Sequence, residues 1–224
     1  MSFKWQALFS LGLTGGYAVL AFAISVVTAR ILGIDAYGIY ASVIAHALLL
    51  SALIVGGLPQ LVVREVTSAD HAGNEALLRG VIRRAQSYVI AGSLASAIVA
   101  ALVWLALAPD DGWWTAFWPA LAVVVGISIL NVQNAILRGL SRPLSGQVPD
   151  VLVRPVVHLS LLVMLGMGTA AVLPHQAVWA FLAATGVALV WSFTLMRSVL
   201  RPRPVMAPIF QDRAWLIALS TFFV

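Results

Sequence analysis

Apolar residues fill long, nearly uninterrupted stretches of this chain, and polar residues gather in the short gaps between them. A helix needs about 20 apolar residues to cross the hydrocarbon core of a bilayer. Six stretches are long enough, at residues 7–29, 37–58, 87–108, 114–136, 151–173 and 177–196. A seventh begins at Ala214 and is still apolar at Val224, where the sequence stops. The pattern predicts an all-α polytopic membrane bundle. Residues 1–213 would form a six-helix transmembrane lobe, and 214–224 the first half of a seventh span, cut short as in a fragment of a longer protein. The first stretch far exceeds the ~7–15 residues of a signal-peptide core, and five more follow it, so it reads as a span and not as a leader.

The gaps set the orientation. Arg30 alone among the basic residues falls in the gap after span 1. Lys4 precedes span 1, and Arg64, Arg79, Arg83 and Arg84 lie between spans 2 and 3. Arg138, Arg142 and Arg154 bracket the link from span 4 to span 5, while Arg197, Arg201, Arg203 and Arg213 follow span 6. Basic loops stay in the cytoplasm, which predicts a cytoplasmic N-terminus. The opposite turns, 109–112 and 174–176, carry no Lys or Arg, and Trp113, Trp114, Trp118 and Trp179 sit beside them as an aromatic belt would. Gly56, Gly57 and Pro59 should kink the basic end of span 2. Between Asn74 and Gln86, an apolar face of Leu77, Leu78, Val81, Ile82 and Ala85 opposes Arg79, Arg83 and Arg84, which predicts an amphipathic helix lying at the membrane interface. Small residues at spacing four (Gly12 and Gly16; Gly92, Ser96 and Ala100; Ala180, Ala184, Ala188 and Ser192) predict close helix packing.

Composition sharpens the class. Hydrophobic residues make up 62% and charged residues 9%, with mean hydropathy +1.00; soluble domains run about 45–50% and 25%. That excludes a soluble enzyme, a disulfide scaffold and a disordered chain. A net charge of +5 does not point to nucleic acid, because the basic residues are strung between apolar runs. Without cysteine there is no thiolate chemistry. The carboxylates fall in loops or at the ends of the expected spans, the histidines lie in different segments, and no catalytic or phosphate-binding motif is present. The expectation is a protein that is no enzyme, with no catalytic residue, no metal and no cofactor.

Three polar stripes remain inside the spans. Ser10, Thr14, Tyr17, Ser25 and Thr28 share a face of span 1; Ser128, Asn131, Asn134 and Arg138 run down span 4; Asp150, Arg154 and His158 are four apart at the start of span 5. Polar groups at membrane depth must face other helices or a watery cavity. Interhelical bonding and a transport path both fit, and Asp150 pairing with Arg154 is the plain reading of the last stripe. Arg30 reads equally as an interface anchor, and His46 as a buried, satisfied histidine.

The junction at residues 28–41, with Ala29, Arg30, Leu32, Gly33, Tyr37, Gly38, Tyr40 and Ala41, resembles the ARxLGxxxYGxYA junction of polysaccharide repeat-unit flippases. These belong to the multidrug/oligosaccharidyl-lipid/polysaccharide exporter superfamily. Gly57, Leu58, Leu61, Val62, Val63, Arg64 and Glu65 resemble the end of that family's second helix, and Leu137, Arg138, Gly139, Leu140 and Arg142 the end of its fourth. The resemblance implies one of two six-helix lobes around a cavity of alternating access. It implies flipping of an undecaprenyl-diphosphate-linked oligosaccharide across a bacterial inner membrane, for O-antigen, capsule or exopolysaccharide synthesis. A polysaccharide polymerase and glycosyltransferases would be working partners, besides membrane lipids. Substrate binding would fall to Arg30, Arg64, Arg138 and Arg154, with Asn131 and Asn134 on the span 4 stripe. Rival readings are a multidrug or cation exporter, disfavoured because no acid lies within an expected span, and a non-transporting scaffold of a polysaccharide assembly.

Overall fold

The computed structural model describes residues 3–107, 111–168, 171–204 and 206–209; the expected seventh span lies outside them. Among the described residues every regular element is helical. They are α1 (Phe3–Leu32), α2 (Ile34–Val55), α3 (Leu58–His71), α4 (Glu75–Leu107), α5 (Asp111–Gly139), α6 (Pro143–Val148), a π turn (Pro149–Val153), α7 (Arg154–Gly166) and α8 (Pro174–Leu200). Among the described residues six helical segments are long and apolar enough to span a membrane, with α6, the π turn and α7 together making the fifth. The protein is a multi-pass, all-α membrane bundle.

Helix α5 is the hub. It packs along α8, α2, α4 and α3, and two-thirds of its most apolar window is buried. Two apolar clusters flank it. One, at the basic end, joins Leu58, Leu61, Val62 and Val66 of α3 with Leu78, Val81, Ile82 and Val89 of α4 and Val132 and Ile136 of α5. The other, toward the tryptophan end, joins Tyr40, Val43 and Ala47 of α2 with Val123, Val124 and Ile127 of α5, Leu162 of α7 and Phe181 of α8. Helix α1 is peripheral: it touches α7, the π turn and α2, and only 6% of its apolar window is buried.

Several expectations change. The amphipathic stretch after Asn74 is no separate interfacial helix but the start of α4, whose 33 residues extend roughly 50 Å, well beyond the hydrocarbon core. Its apolar face packs on α3 and α5 instead of lipid. The Asn74 side chain caps it, accepting the Leu77 N–H at 3.0 Å. The separate short helix is α3, created where span 2 breaks: Gly56 has φ 43° and ψ −128°, a conformation open to glycine, and Pro59 sits in the first turn of α3. Span 5 starts at Pro143, not 151, and ends at Gly166. His175 and Gln176 belong to the first turn of α8, where Gln176 Oε1 accepts the Leu173 N–H at 3.0 Å. Gly12 and Gly16 meet no neighbour, so that ridge makes no close packing, whereas Ala180, Ala184, Ala188 and Ser192 are buried in α8.

Beyond α8 the chain turns back across α4 as a strap. Arg203 Nη1 donates to Asp70 at the end of α3 and to Glu75 at the start of α4, the latter at 3.1 Å. The hydrogen bond to Asp70 is the main cause that raises the Arg203 pKa above its ordinary value. Arg79 Nη2 donates to the Pro204 carbonyl at 3.0 Å, and the Ile209 N–H to the Ala76 carbonyl at 3.1 Å. The Ile209 carbonyl rests on Gly80, where a Cβ would overlap it.

Candidate functional site

Among the described residues a polar constellation inside a candidate span surrounds the π turn. Asp150 and Arg154 lie roughly 10 and 16 Å along the helix axis from Pro143, so Asp150 stands inside a span and not at its end. Arg154 donates to one carboxylate oxygen, Asp150 Oδ1, from Nε at 2.9 Å and Nη2 at 2.7 Å. The pair bridges the π turn from its first part to the residue that follows it. The guanidinium carbon lies 5.2 Å from the centre of the Phe181 ring on α8, a cation–π contact. One turn on, His158 is buried; its Nε2 is 3.5 Å from the Tyr40 hydroxyl of α2, and its ring meets Phe181 edge-on at 5.0 Å. Four elements thus converge: α2, the π turn, α7 and α8.

Helix α1, which touches the π turn and α7, is exposed round most of its circumference, with apolar Val19 and Phe22 as open as its polar residues. Thr14, Tyr17 and Ser25 are exposed, although the span would sit in lipid. Thr28 departs from them, for it is buried and its hydroxyl donates to the Ile24 carbonyl at 2.6 Å. The Ser10 side chain lies outside the described residues.

The other expected residues are dispersed. Arg30 is exposed at the tryptophan end of α1. Arg64 is exposed on α3 and donates to its neighbour Glu65 from Nε at 3.1 Å and Nη2 at 2.9 Å, a surface pair of little energetic weight. Arg138 ends α5 exposed. Asn131 and Asn134 are half-buried, and Asn134 Oδ1 lies against Gly146 of α6 without a hydrogen-bond partner. No described contact brings any two of Arg30, Arg64, Arg138 and Arg154 together. His46, expected to be buried, is exposed, with Nδ1 2.7 Å from the Ser42 carbonyl. It lines an apolar cavity of about 350 Å³ between α2, α4 and α5, beside stacked Trp104 and Phe117.

One residue of the span 4 stripe makes an interhelical bond. Ser128 bonds Ser51 of α2 at 2.9 Å in a buried contact. Two motif glycines are structural: Gly33, with φ 77°, turns α1 into α2, and a Cβ on Gly139 would stand 2.7 Å from Val66 of α3. Sequence reasoning overlooked Gln133, which is fully buried with neither Oε1 nor Nε2 hydrogen-bonded. Gly126 packs on Thr185 and Leu189, so about two turns further on Gln133 reaches the level of Ser192 and Met196. Ser192 Oγ is also buried and unpartnered. Its place beside Asn134 was the only signal in the sequence, since Gln133 lies off the stripe's rhythm. Among the described residues no three His, Asp or Glu side chains converge as metal ligands. No family profile, curated protein or solved structure matches this chain.

Proposed function

We propose that this lobe forms one wall of a transporter that flips a polyprenyl-diphosphate-linked oligosaccharide across a bacterial inner membrane. The observation that carries the reading is the Asp150–Arg154 pair set inside a span, next to α1, on which Tyr17 and Ser25 are exposed. Polar groups in a span are costly against lipid and mark a cavity or pathway. A second lobe around a hydrated cavity would cover α1. The sugar would be solvated there while the isoprenoid tail stays in the bilayer. Arginine suits a diphosphate because its planar, permanently charged fork matches phosphate oxygens. An inside-negative potential favours outward passage of an anion by about 2.3 kcal/mol per charge per 100 mV.

Of the four arginines, Arg138 is best suited to first capture. It is exposed at the basic end of α5, and among the described residues no carboxylate is recorded with it, whereas Arg64 and Arg154 each hold one. Cation export is the rival that one observation favours, since Asp150 lies within a span. Its charge is nevertheless neutralised by Arg154, which donates twice to Oδ1. The test is polysaccharide export in a strain deleted for its own flippase, with the complete transporter supplied. Arg138→Ala should abolish export, and Arg138→Lys should restore part of it. Normal export by Arg138→Ala at equal protein level would overturn the assignment.

A further inference from the structure

The Asp150–Arg154 pair has the composition of an anion site already filled from within. An arginine at membrane depth is costly to keep, and this one is held by a carboxylate four residues away. Its side chain is only 12% exposed, and that of Asp150 28%. A guanidinium has five N–H donors; the two bonds to Asp150 Oδ1 use the Nε and Nη2 groups, while the Phe181 ring supports the guanidinium carbon. A carboxylate bound this way presents to arginine the same feature as a phosphate, a charged oxygen that receives two converging N–H bonds.

The pair also has a mechanical place. It bridges a π turn, an element that concentrates at functional sites. That turn joins α7 to α6, and α6 rests through Gly146 on Leu137 and Asn134, next to Arg138. The chain therefore links the exposed arginine at the basic end to the closed pair deeper in the span.

We propose that Asp150 is a resident competitor for phosphate: it occupies Arg154 until a phosphate-bearing group displaces it, so that Asp150 sets the affinity and selectivity of this lobe for anionic cargo. The inference rests on the reading of the protein as a carrier of a lipid diphosphate, and it assigns Asp150 as a specificity-determining residue. In the empty state the guanidinium charge is neutralised, which keeps an uncompensated cation out of the membrane. In the loaded state the phosphate takes over that neutralisation, and the Asp150 carboxylate turns to the water of the cavity, on the side where it is already partly exposed.

The test is equilibrium binding to the complete transporter in nanodiscs, with two probes: a polyprenyl diphosphate and inorganic pyrophosphate. Asp150→Asn keeps the shape of the side chain and removes the competing charge. It should tighten polyprenyl diphosphate binding about tenfold, the order of one charge-assisted hydrogen bond. In the Arg154→Gln background the same substitution should change nothing. Tightening for both probes identifies a site for phosphate from any source; tightening for the lipid alone identifies the lipid headgroup as the ligand. Asp150→Ser, a smaller neutral replacement, gives the same readout if Asp150→Asn is not recovered folded. Unchanged or weaker binding by the folded neutral variants, with the parent binding normally, overturns the competitor role and leaves the flippase reading intact. If neither parent nor variants bind the lipid diphosphate, both fall.

Discussion

Replacing Gly80 by alanine should lift the strap without loosening the bundle. Gly80 lies on α4 under the Ile209 carbonyl, and an added Cβ would overlap that oxygen. The far atom is backbone, so it must retreat, and the Ile209 N–H bond to Ala76 is lost with it. A net intramolecular hydrogen bond is worth about 1 kcal/mol. The Arg203 pairs with Asp70 and Glu75 are partly exposed and persist at modest value. A loss of about 1–2 kcal/mol raises the undocked fraction of the strap roughly 5–30-fold. Native-state amide exchange reads this directly, as a fall in protection at Ile209 by the same factor. The helix itself should gain, since alanine is favoured over glycine in a helix interior by ~0.8–1.0 kcal/mol. The melting temperature should therefore hold or rise while strap protection falls. Gly186→Ala, on an open stretch of α8, should leave Ile209 untouched. Unchanged protection at Ile209 in Gly80→Ala would refute the close approach of Ile209 to α4.

Two further outcomes are expected. Cysteine in place of Asp111 should react with an impermeant thiol reagent from outside the cell and cysteine in place of His71 should not; the reverse pattern would invert the topology argued from the basic loops. Gln133→Leu should stabilise the purified protein by about 1–3 kcal/mol, the desolvation penalty of an unsatisfied buried group, raising its melting temperature. A lower melting temperature would mean that water or a ligand satisfies Gln133 in the native protein.

Span number and approximate bounds were legible from hydropathy alone, because lipid demands a continuous apolar helix whatever its neighbours do. The break after Val55 was legible too, since the backbone of Gly56 and the ring of Pro59 act locally. What hydropathy misplaced was the fifth span. Its first turns carry Ser145, Gln147 and Asp150, which read as a loop until Arg154 neutralises Asp150 and α5 buries Gly146. The same limitation made the start of α4 look like an interfacial helix: an apolar face carries no label saying whether protein or lipid covers it, and here α3 does. The pairing of Asp150 with Arg154 followed from their spacing, but the meeting of Tyr40, His158 and Phe181 around it did not, because those contacts join residues far apart in the chain. Gln133 shows the boundary most clearly. Its residue type says that it wants four hydrogen bonds, and only the packing of α5 on α8 decides that it has none.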